Sequence, residues 1–261
     1  MTDDATLQTI ADAGWTFPEE VWRKLSDYER SFAALEFSGQ KTPTYYAARL
    51  RAIGFCQLDR ILDAACGMGQ WSLAMAGLNG HVEGIDINAG RLDVAAALAR
   101  AAGRTNCSLR SAPMEQLPYD DAEFDAVFCY GAFMFADMPR ALAEFRRVLR
   151  PGGRVYLNAN SSGWYAHLLI DRGLAKANLR IIRSAAFMIV QTLLRRSRNR
   201  VVGMRWLGRR LGAAGFRVVA NGAEGTICLD EQPDQPRPDA AYPRSFYGLP
   251  AVIEVLAQKE R

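Results

Sequence analysis

Between Arg60 and Asn160 the chain alternates short apolar runs with amphipathic segments, and this alternation constrains the fold more than any other feature. The runs ILDAAC, HVEGIDI, CSLRS, FDAVFCY and RVYLNAN are typical of strands, and the segments between most of them have helical spacing. Strands that alternate with helices form βαβ units on a parallel sheet with right-handed crossovers. We therefore expect an α/β protein with helices on both faces of the sheet.

Helical segments precede and follow this core. Residues 18–37 have helical spacing of apolar side chains, and residues 42–54 predict a second helix of an N-terminal cap. Residues 160–200 interrupt the alternation with an insertion whose apolar run AAFMIV is flanked by arginines, as in an amphipathic lid. The helix-like WLGRRLGAAG follows, then the strand-like FRVVANG, GTICL and PAVIEVLAQ, with the loop DEQPDQPRPDAAYP before the last.

Composition excludes several classes of protein. The 261 residues are 49% hydrophobic and 23% charged, which excludes disorder as the main state. No apolar run reaches the ~18 residues of a membrane span, and the acidic start MTDDATLQTI is unlike a signal peptide. Five scattered cysteines without CxxC spacing disfavour disulfides and a metal site. We expect a cytoplasmic protein of one domain, with a cap (1–50), a core (51–160), a lid (161–200) and a C-terminal part (201–261).

Basic residues concentrate in one segment. Between Tyr165 and Arg217 there are twelve lysines and arginines against one acid, Asp171, so this segment has a formal charge of +11. The whole chain carries +4, which leaves −7 for the remainder. The clustering predicts an anionic partner, although a solvated basic helix face would give the same pattern.

The stretch ILDAACGMGQW indicates a ligand site. A strand reaches Asp63, and a tight turn through Gly67 and Gly69 leads into a helix. The dinucleotide fingerprint needs three glycines, but Ala65 and Ser72 occupy its first and third positions, which disfavours NAD. An acid in the turn suits a cationic ligand rather than a pyrophosphate. Asp86 ends the next strand, where a carboxylate can accept hydrogen bonds from ribose hydroxyls.

These motifs resemble the class I S-adenosylmethionine-dependent methyltransferases, in particular the small-molecule branch (methyltransferase type 11) that includes the ubiquinone and menaquinone biosynthesis enzymes. The resemblance rests on LDAACGMG, EGIDIN, PMEQLPYDDAEFDAVFCYGA and LRPGGRVYL, and it covers residues 45–160. It implies a Rossmann-like seven-stranded sheet, mostly parallel with the last strand antiparallel. It also implies S-adenosylmethionine as cofactor and S-adenosylhomocysteine as product.

The resemblance assigns roles to single positions. Asp63, Ala65, Gly67 and Gly69 would contact the methionine part of the cofactor, Asp86 the ribose and Ile87 the adenine. Two positions depart from the family. Ala65 replaces a turn glycine, which is tolerable if it keeps a negative φ. Pro113 replaces an aspartate that faces the adenine, so the backbone of Met114 would take over recognition, beside Glu115, which matches a family glutamate.

The acceptor side is less defined. His167 lies after the fifth strand at the start of the lid, where it could deprotonate a hydroxyl acceptor. Tyr130 follows the fourth strand and would line the cofactor or acceptor pocket. Aromatic walls could come from Tyr28, Tyr45, Tyr46, Trp164 and Tyr165, although each is an ordinary packing residue as well.

We expect transfer to a hydroxyl oxygen of a small molecule that is anionic or lipid-linked, with peripheral membrane contact through residues 165–217 as a further expectation. C-methylation of a quinone-like or acyl acceptor is the alternative, in which His167 need not be a base. A non-catalytic cofactor-binding protein remains a third hypothesis. Nucleic acid is disfavoured as a substrate, because FCYGAFMF lacks the proline motifs of base-methylating enzymes. The sequence leaves the oligomeric state open.

Overall fold

The structure, a computed structural model, describes residues 3–229 and 240–260. Contacts divide these residues into two compact units. The first comprises the residues up to Pro113 together with Cys228 and Leu229, and the second comprises Met114–Ile227 and the C-terminal segment from residue 240. The prediction of one domain with four parts stays a prediction. Most of the predicted loop at 230–243 lies outside the described residues.

Seven strands form one sheet in the order β3-β2-β1-β4-β5-β9-β6. They are β1 Arg60–Ala64, β2 His81–Asp86, β3 Cys107–Ser111, β4 Phe124–Cys129, β5 Leu149–Asn160, β6 Phe216–Ala223 and β9 Val252–Lys259. Two short strands, β7 Ser245–Phe246 and β8 Leu249–Pro250, pair as a hairpin. The seven-stranded, mostly parallel sheet with an antiparallel last strand is confirmed.

Strand pairing follows the βαβ pattern inside each unit. In the first unit, β1 pairs with β2 and β2 with β3, all parallel, with Asp63 opposite Gly84. In the second unit, β4 and β5 are parallel, whereas β9 runs antiparallel to both β5 and β6. Buried side chains on β1, β4 and β9 make these strands apolar on both faces, as expected for a sheet covered by helices on each side.

Ten α-helices surround these strands in the described part of the chain. They are α1 Asp3–Asp12, α2 Glu19–Trp22, α3 Asp27–Glu36, α4 Pro43–Ala52, α5 Gln70–Ala76, α6 Ala89–Ala101, α7 Met138–Val148, α8 Ser162–His167, α9 Leu179–Leu193 and α10 Met204–Ala213. A π-helix, Leu168–Leu174, joins α8 to the turn before α9. The lid predicted at 161–200 therefore consists of an α-helix, a π-helix and a second α-helix.

The single helix predicted over residues 18–37 is wrong, because the structure divides this segment into α2 and α3. The division occurs at Ser26, whose hydroxyl accepts a hydrogen bond from the Glu29 backbone N–H, while the Glu29 carboxylate accepts one from the Ser26 backbone N–H. This reciprocal arrangement is a capping box, and it starts a new helix where apolar spacing alone continues the old one.

Two further expectations are corrected. The fifth strand was expected to be RVYLNAN, but β5 begins earlier, at Leu149, and includes the PGG sequence at 151–153. Gly152 has φ 77°, and the pairing of β4 with β5 shifts there, so the glycines form a bulge. GTICL at 225–229 was expected to be strand-like, but it consists of a turn at Gly225 followed by residues without regular secondary structure. Its backbone N–H groups at Thr226 and Ile227 donate to the Glu254 carboxylate, and the Thr226 N–H also donates to the Ala223 carbonyl at the end of β6.

No helix within the described ranges combines the length and the apolar character that crossing a bilayer requires. The same ranges contain no cluster of three or more histidine, cysteine or acidic side chains with the geometry of a metal site.

Candidate functional site

Three residues with left-handed backbone form the turn that follows β1. Ala65, Gly67 and Gly69 have φ angles of 74°, 57° and 88°. A negative φ, the condition under which Ala65 would be a tolerable replacement for glycine, is therefore not met. A residue with a Cβ in this region costs about 1–2 kcal/mol, because the Cβ crowds the following carbonyl oxygen. The turn keeps a glycine-type backbone although position 65 carries a methyl group.

The two glycines of the turn have different roles. A Cβ added at Gly67 would meet no atom within 4 Å, so there is open space beside its backbone. A Cβ added at Gly69 would lie 2.9 Å from the Cβ of Ala95 in α6. Gly69 thus permits the close packing of the turn against α6, and Gly67 leaves room for a ligand to approach the main chain.

Asp86, at the end of β2, connects the turn to the next loop. Its Oδ2 accepts a hydrogen bond of 3.0 Å from the Gly67 N–H, and its Oδ1 accepts one of 2.8 Å from the Asn88 N–H. A carboxylate has about four lone-pair sites, so two backbone bonds leave acceptor capacity for ligand hydroxyls. Ile87 follows directly and is 77% exposed, which provides an apolar surface beside the carboxylate.

Asp63 lies beneath the turn rather than at its surface. It is 1% exposed, and its Oδ2 accepts a hydrogen bond of 2.5 Å from the Ser72 hydroxyl in α5. Burial raises the pKa of Asp63 to about 7, although the Ser72 hydrogen bond opposes the shift. A carboxyl group with this pKa is partly protonated near pH 7, so Asp63 does not provide the fixed negative charge that would select a cationic ligand. A direct contact between Asp63 and a ligand stays a prediction.

A buried carboxylate beside the turn was not identified from the sequence. Glu36 in α3 is 5% exposed and accepts hydrogen bonds from Lys41 Nζ at 2.6 Å, from the Tyr46 hydroxyl and from Gln70 Nε2 at 3.3 Å. Gln70 is the residue after Gly69, and its Oε1 is buried without a hydrogen-bond partner in the described part of the chain. The cap helices thus position a free acceptor next to the turn. Glu36 and Gln70 are too far apart in sequence for a local signal.

The second unit contains the remaining predicted cofactor residues. Met114 is buried, and Glu115 Oε1 accepts hydrogen bonds from the Asp137 N–H at 2.9 Å and from Arg198 Nη2 at 2.7 Å. Glu115 therefore connects the start of α7 to the segment after α9. The Tyr130 hydroxyl donates to Glu224 Oε1 at 3.3 Å. Contacts of these three residues with a ligand stay predictions.

His167, the last residue of α8, has the geometry of a base held by a carboxylate. Its Nδ1 lies 2.6 Å from Asp171 Oδ2, and its side chain is 21% exposed. Hydrogen bonds from Tyr247 and His167 lower the pKa of Asp171, which keeps this carboxylate ionised. An ionised partner places the proton of the neutral imidazole on Nδ1 and leaves Nε2 as an acceptor.

Aromatic rings surround this pair. Phe246 stacks on the His167 imidazole with centroids 4.2 Å apart and planes 12° apart, and Trp164 lies 6.1 Å from it. Trp164, a candidate wall, also contacts Tyr242 and Phe246. Asp171 was not predicted as a partner, although its i+4 spacing from His167 is a usable signal. Phe246 and Tyr247 come from a distant segment and have no such signal.

Comparison with known protein sequences gives a consistent result. A family described as a methyltransferase domain matches residues 61–153. Demethylmenaquinone methyltransferase of Clavibacter sepedonicus is 34% identical over 133 residues, which is 51% of this chain and 53% of that protein. 2-Phytyl-1,4-naphtoquinone methyltransferase of Trichormus variabilis is 38% identical over 101 residues, which is 37% of this chain and 44% of that protein. The chain thus spans about half the length of the curated relatives it matches.

Solved structures share the fold at low sequence identity. Geranyl diphosphate C-methyltransferase from Streptomyces coelicolor A3(2), solved with Mg²⁺, geranyl diphosphate and S-adenosylhomocysteine, is similar with a TM-score of 0.60 and 16% identity. The match covers 90% of this chain and 83% of that one. The YcgJ protein of Bacillus subtilis gives a TM-score of 0.57 at 19% identity, over 84% of this chain and 99% of that one. At these identities the likeness concerns the fold alone.

Proposed function

We propose that the protein transfers a methyl group from S-adenosylmethionine to a hydroxyl oxygen of a small-molecule acceptor. Residues 61–153 match a family described as a methyltransferase domain, and the chain shares its fold with solved methyltransferases. The observation that carries this proposal is the His167–Asp171 pair, with 2.6 Å between Nδ1 and Oδ2. A histidine that is oriented by a carboxylate is suited to removing a hydroxyl proton.

The residues around the β1 turn fit the cofactor. Gln70 Oε1 is a buried acceptor without a partner in the described residues, and it suits the α-ammonium group of the methionine part. The open space at Gly67 admits the chain of the ligand, and the free acceptor capacity of Asp86 suits the two ribose hydroxyls. Ile87 would pack on the adenine. Asp63 and Ala65 would support the turn, and Met114, Glu115 and Tyr130 are proposed contacts.

When bound, S-adenosylmethionine would supply a sulfonium methyl group that is open to in-line displacement, with S-adenosylhomocysteine as the leaving group. The protein contributes alignment of the acceptor and removal of its proton. In this proposal His167 Nε2 takes the hydroxyl proton as the new C–O bond forms. Asp171 then stabilises the imidazolium, and Tyr247 and Phe246 restrict the positions of carboxylate and ring.

We propose an acceptor that is anionic or lipid-linked. The twelve cations between Tyr165 and Arg217 support an anionic group, and the aromatic side chains around His167 support an apolar or ring-shaped part. If lid arginines bind an anionic acceptor, replacing them with glutamine raises the KM for the acceptor and leaves the Kd for S-adenosylmethionine unchanged.

The test is transfer of a deuterated methyl group from S-adenosylmethionine to a panel of phenolic acids and prenylated hydroquinones, followed by mass spectrometry. His167→Ala should lower kcat by about 10²- to 10⁴-fold, because the proton acceptor is lost. The variant should also lose the dependence of kcat on imidazole ionisation, while calorimetric binding of S-adenosylmethionine stays the same. His81→Ala is the matched control, because His81 lies at the start of β2 and contacts Glu83.

Two results would overturn the proposal. One is a folded protein that does not bind S-adenosylmethionine in a titration where NADH is the comparison ligand; the non-catalytic, partner-binding hypothesis would then replace it. The other is a His167→Ala enzyme with the turnover and pH profile of the original.

C-methylation of a quinone-like ring is the second candidate, and it is favoured by the names of the two curated relatives. A base would serve this reaction too, since an ionised ring hydroxyl makes the adjacent ring carbon more nucleophilic. Loss of turnover in His167→Ala therefore does not separate the two reactions. The two reactions are separated by the position of the labelled methyl group in the product, which NMR determines. A methyl group attached to carbon would show that the protein is a C-methyltransferase.

A further inference from the structure

Helix α9 exposes apolar side chains on its outer face. Leu179, Phe187, Val190 and Leu193 are 72%, 49%, 48% and 76% exposed, whereas Ala185 and Met188 are buried on the opposite side. At 3.6 residues per turn, Leu179, Phe187, Val190 and Leu193 lie within about 120° of the helix circumference, and Arg183 lies among them. This is the reverse of a surface helix in a globular protein, whose outward face is polar.

The exposed apolar side chains are concentrated in the lid. Of the fifteen large apolar side chains that are exposed in the described part of the chain, seven lie between residues 170 and 194: Ile170, Leu174, Leu179, Phe187, Val190, Leu193 and Leu194. Exposed apolar side chains that are grouped in this way mark an interaction site more often than scattered ones do.

The charges around this face are of one sign. From residue 172 to residue 200 the chain has eight lysines and arginines and no acid. Arg180 and Arg183 lie on α9 itself and are exposed, and the others flank its two ends. Long arginine side chains can extend to the surface of a bilayer while their stems lie along apolar chains. The one nearby acid, Asp171, is occupied by His167 and Tyr247.

We propose that the outer face of α9 binds the surface of an anionic lipid bilayer, with the helix parallel to the membrane plane and Leu179, Phe187, Val190 and Leu193 inserted between headgroups. The combination of an apolar stripe and flanking cations is that of interfacial helices, whose attachment needs both acyl-chain contact and negative headgroups. A second copy of the chain would carry the same cations on the same face and would repel it, so the charges favour a membrane over a dimer.

This inference goes beyond methyl transfer, and its test requires neither cofactor nor acceptor. Purified protein is sedimented with vesicles of phosphatidylcholine alone and with vesicles that also contain phosphatidylglycerol. We expect binding to the mixed vesicles, weak binding to neutral ones, and release by salt. Arg180→Gln with Arg183→Gln should lower the partition coefficient by about tenfold or more. Phe187→Ser with Leu193→Ser should lower it on all vesicles.

Matched controls lie outside the lid. Leu35→Ser removes an apolar side chain that is 61% exposed on α3, and Lys24→Gln removes an exposed cation; neither should change vesicle binding. A Phe187→Trp variant gives a second readout, a blue shift of its emission on insertion.

The proposal is overturned if the protein does not bind mixed vesicles, or if the α9 variants bind as the original does. It is also overturned if sedimentation velocity shows a dimer that Phe187→Ser dissociates. Activity on soluble acceptors is measured separately, so its absence would not affect this result.

Discussion

At the scale of single residues, the β1 turn contains one residue with a strained backbone conformation and one carboxyl group with a raised pKa. Ala65 has the φ of a glycine without being one. Asp63, two residues earlier, is a carboxyl group buried beneath the same turn. Both features follow from the path of the backbone, and each has a measurable effect on stability.

Replacing Ala65 with glycine should stabilise the protein. The variant removes the Cβ that crowds a left-handed backbone, which outweighs the added freedom of the unfolded chain. We expect a gain of about 1 kcal/mol in the free energy of unfolding, measured by urea denaturation. Ala74→Gly, within α5, should instead lose about 1 kcal/mol, as glycine does inside a helix. Equal losses in both variants would contradict the role assigned to Ala65.

Asp63 should make stability fall as the pH rises towards neutrality. Its pKa in the folded protein, about 7, lies above the value of 3.8 for an unperturbed aspartate. The folded state therefore binds a proton more tightly than the unfolded state, and this stabilisation is lost as the pH rises through about 7. Urea denaturation at pH 5 and at pH 8 should show a smaller loss in Asp63→Asn than in the original protein. An identical loss in both would show that Asp63 does not titrate there.

At the scale of elements, the C-terminal end of the lid is hydrogen-bonded to a residue that was predicted to contact the cofactor. Glu115 accepts hydrogen bonds from the N–H at the start of α7 and from Arg198, which follows α9. We therefore expect Glu115 to limit opening at the end of the lid.

Glu115→Ala should therefore increase opening of the segment around Arg198. Loss of the acceptor leaves the Asp137 N–H without its partner, which costs about 1 kcal/mol or more. Limited trypsin digestion followed by mass spectrometry should show cleavage after Arg198 and Arg200 accelerated by about fivefold, since cleavage follows the population of the open form. Glu123→Ala removes a similar carboxylate–backbone bond outside the lid and is the control. Unchanged cleavage in Glu115→Ala would exclude the fastening role.

At the scale of the whole molecule, the features that could be predicted from the sequence are those that patterns of neighbouring residues determine. The alternation of strands and helices, the turn at Gly67 and Gly69, and the acid ending β2 all have signals within a few residues. The split at Ser26 had a signal too, the Ser-x-x-Glu capping box, which apolar periodicity obscured. The turn at 225–229 depends on Glu254, and the ring stacked on His167 depends on Phe246; neither contact is visible without the tertiary structure.

The two backbone hydrogen bonds of Asp86 give this residue a structural role that does not depend on a ligand. One carboxylate holds the backbone N–H groups of Gly67 and Asn88, so two loops share a single fastening. These two hydrogen bonds favour an acid at this position whether or not a ligand binds there. The aspartate that ends β2 is thus explained by the architecture as well as by the ribose contact that we propose for it.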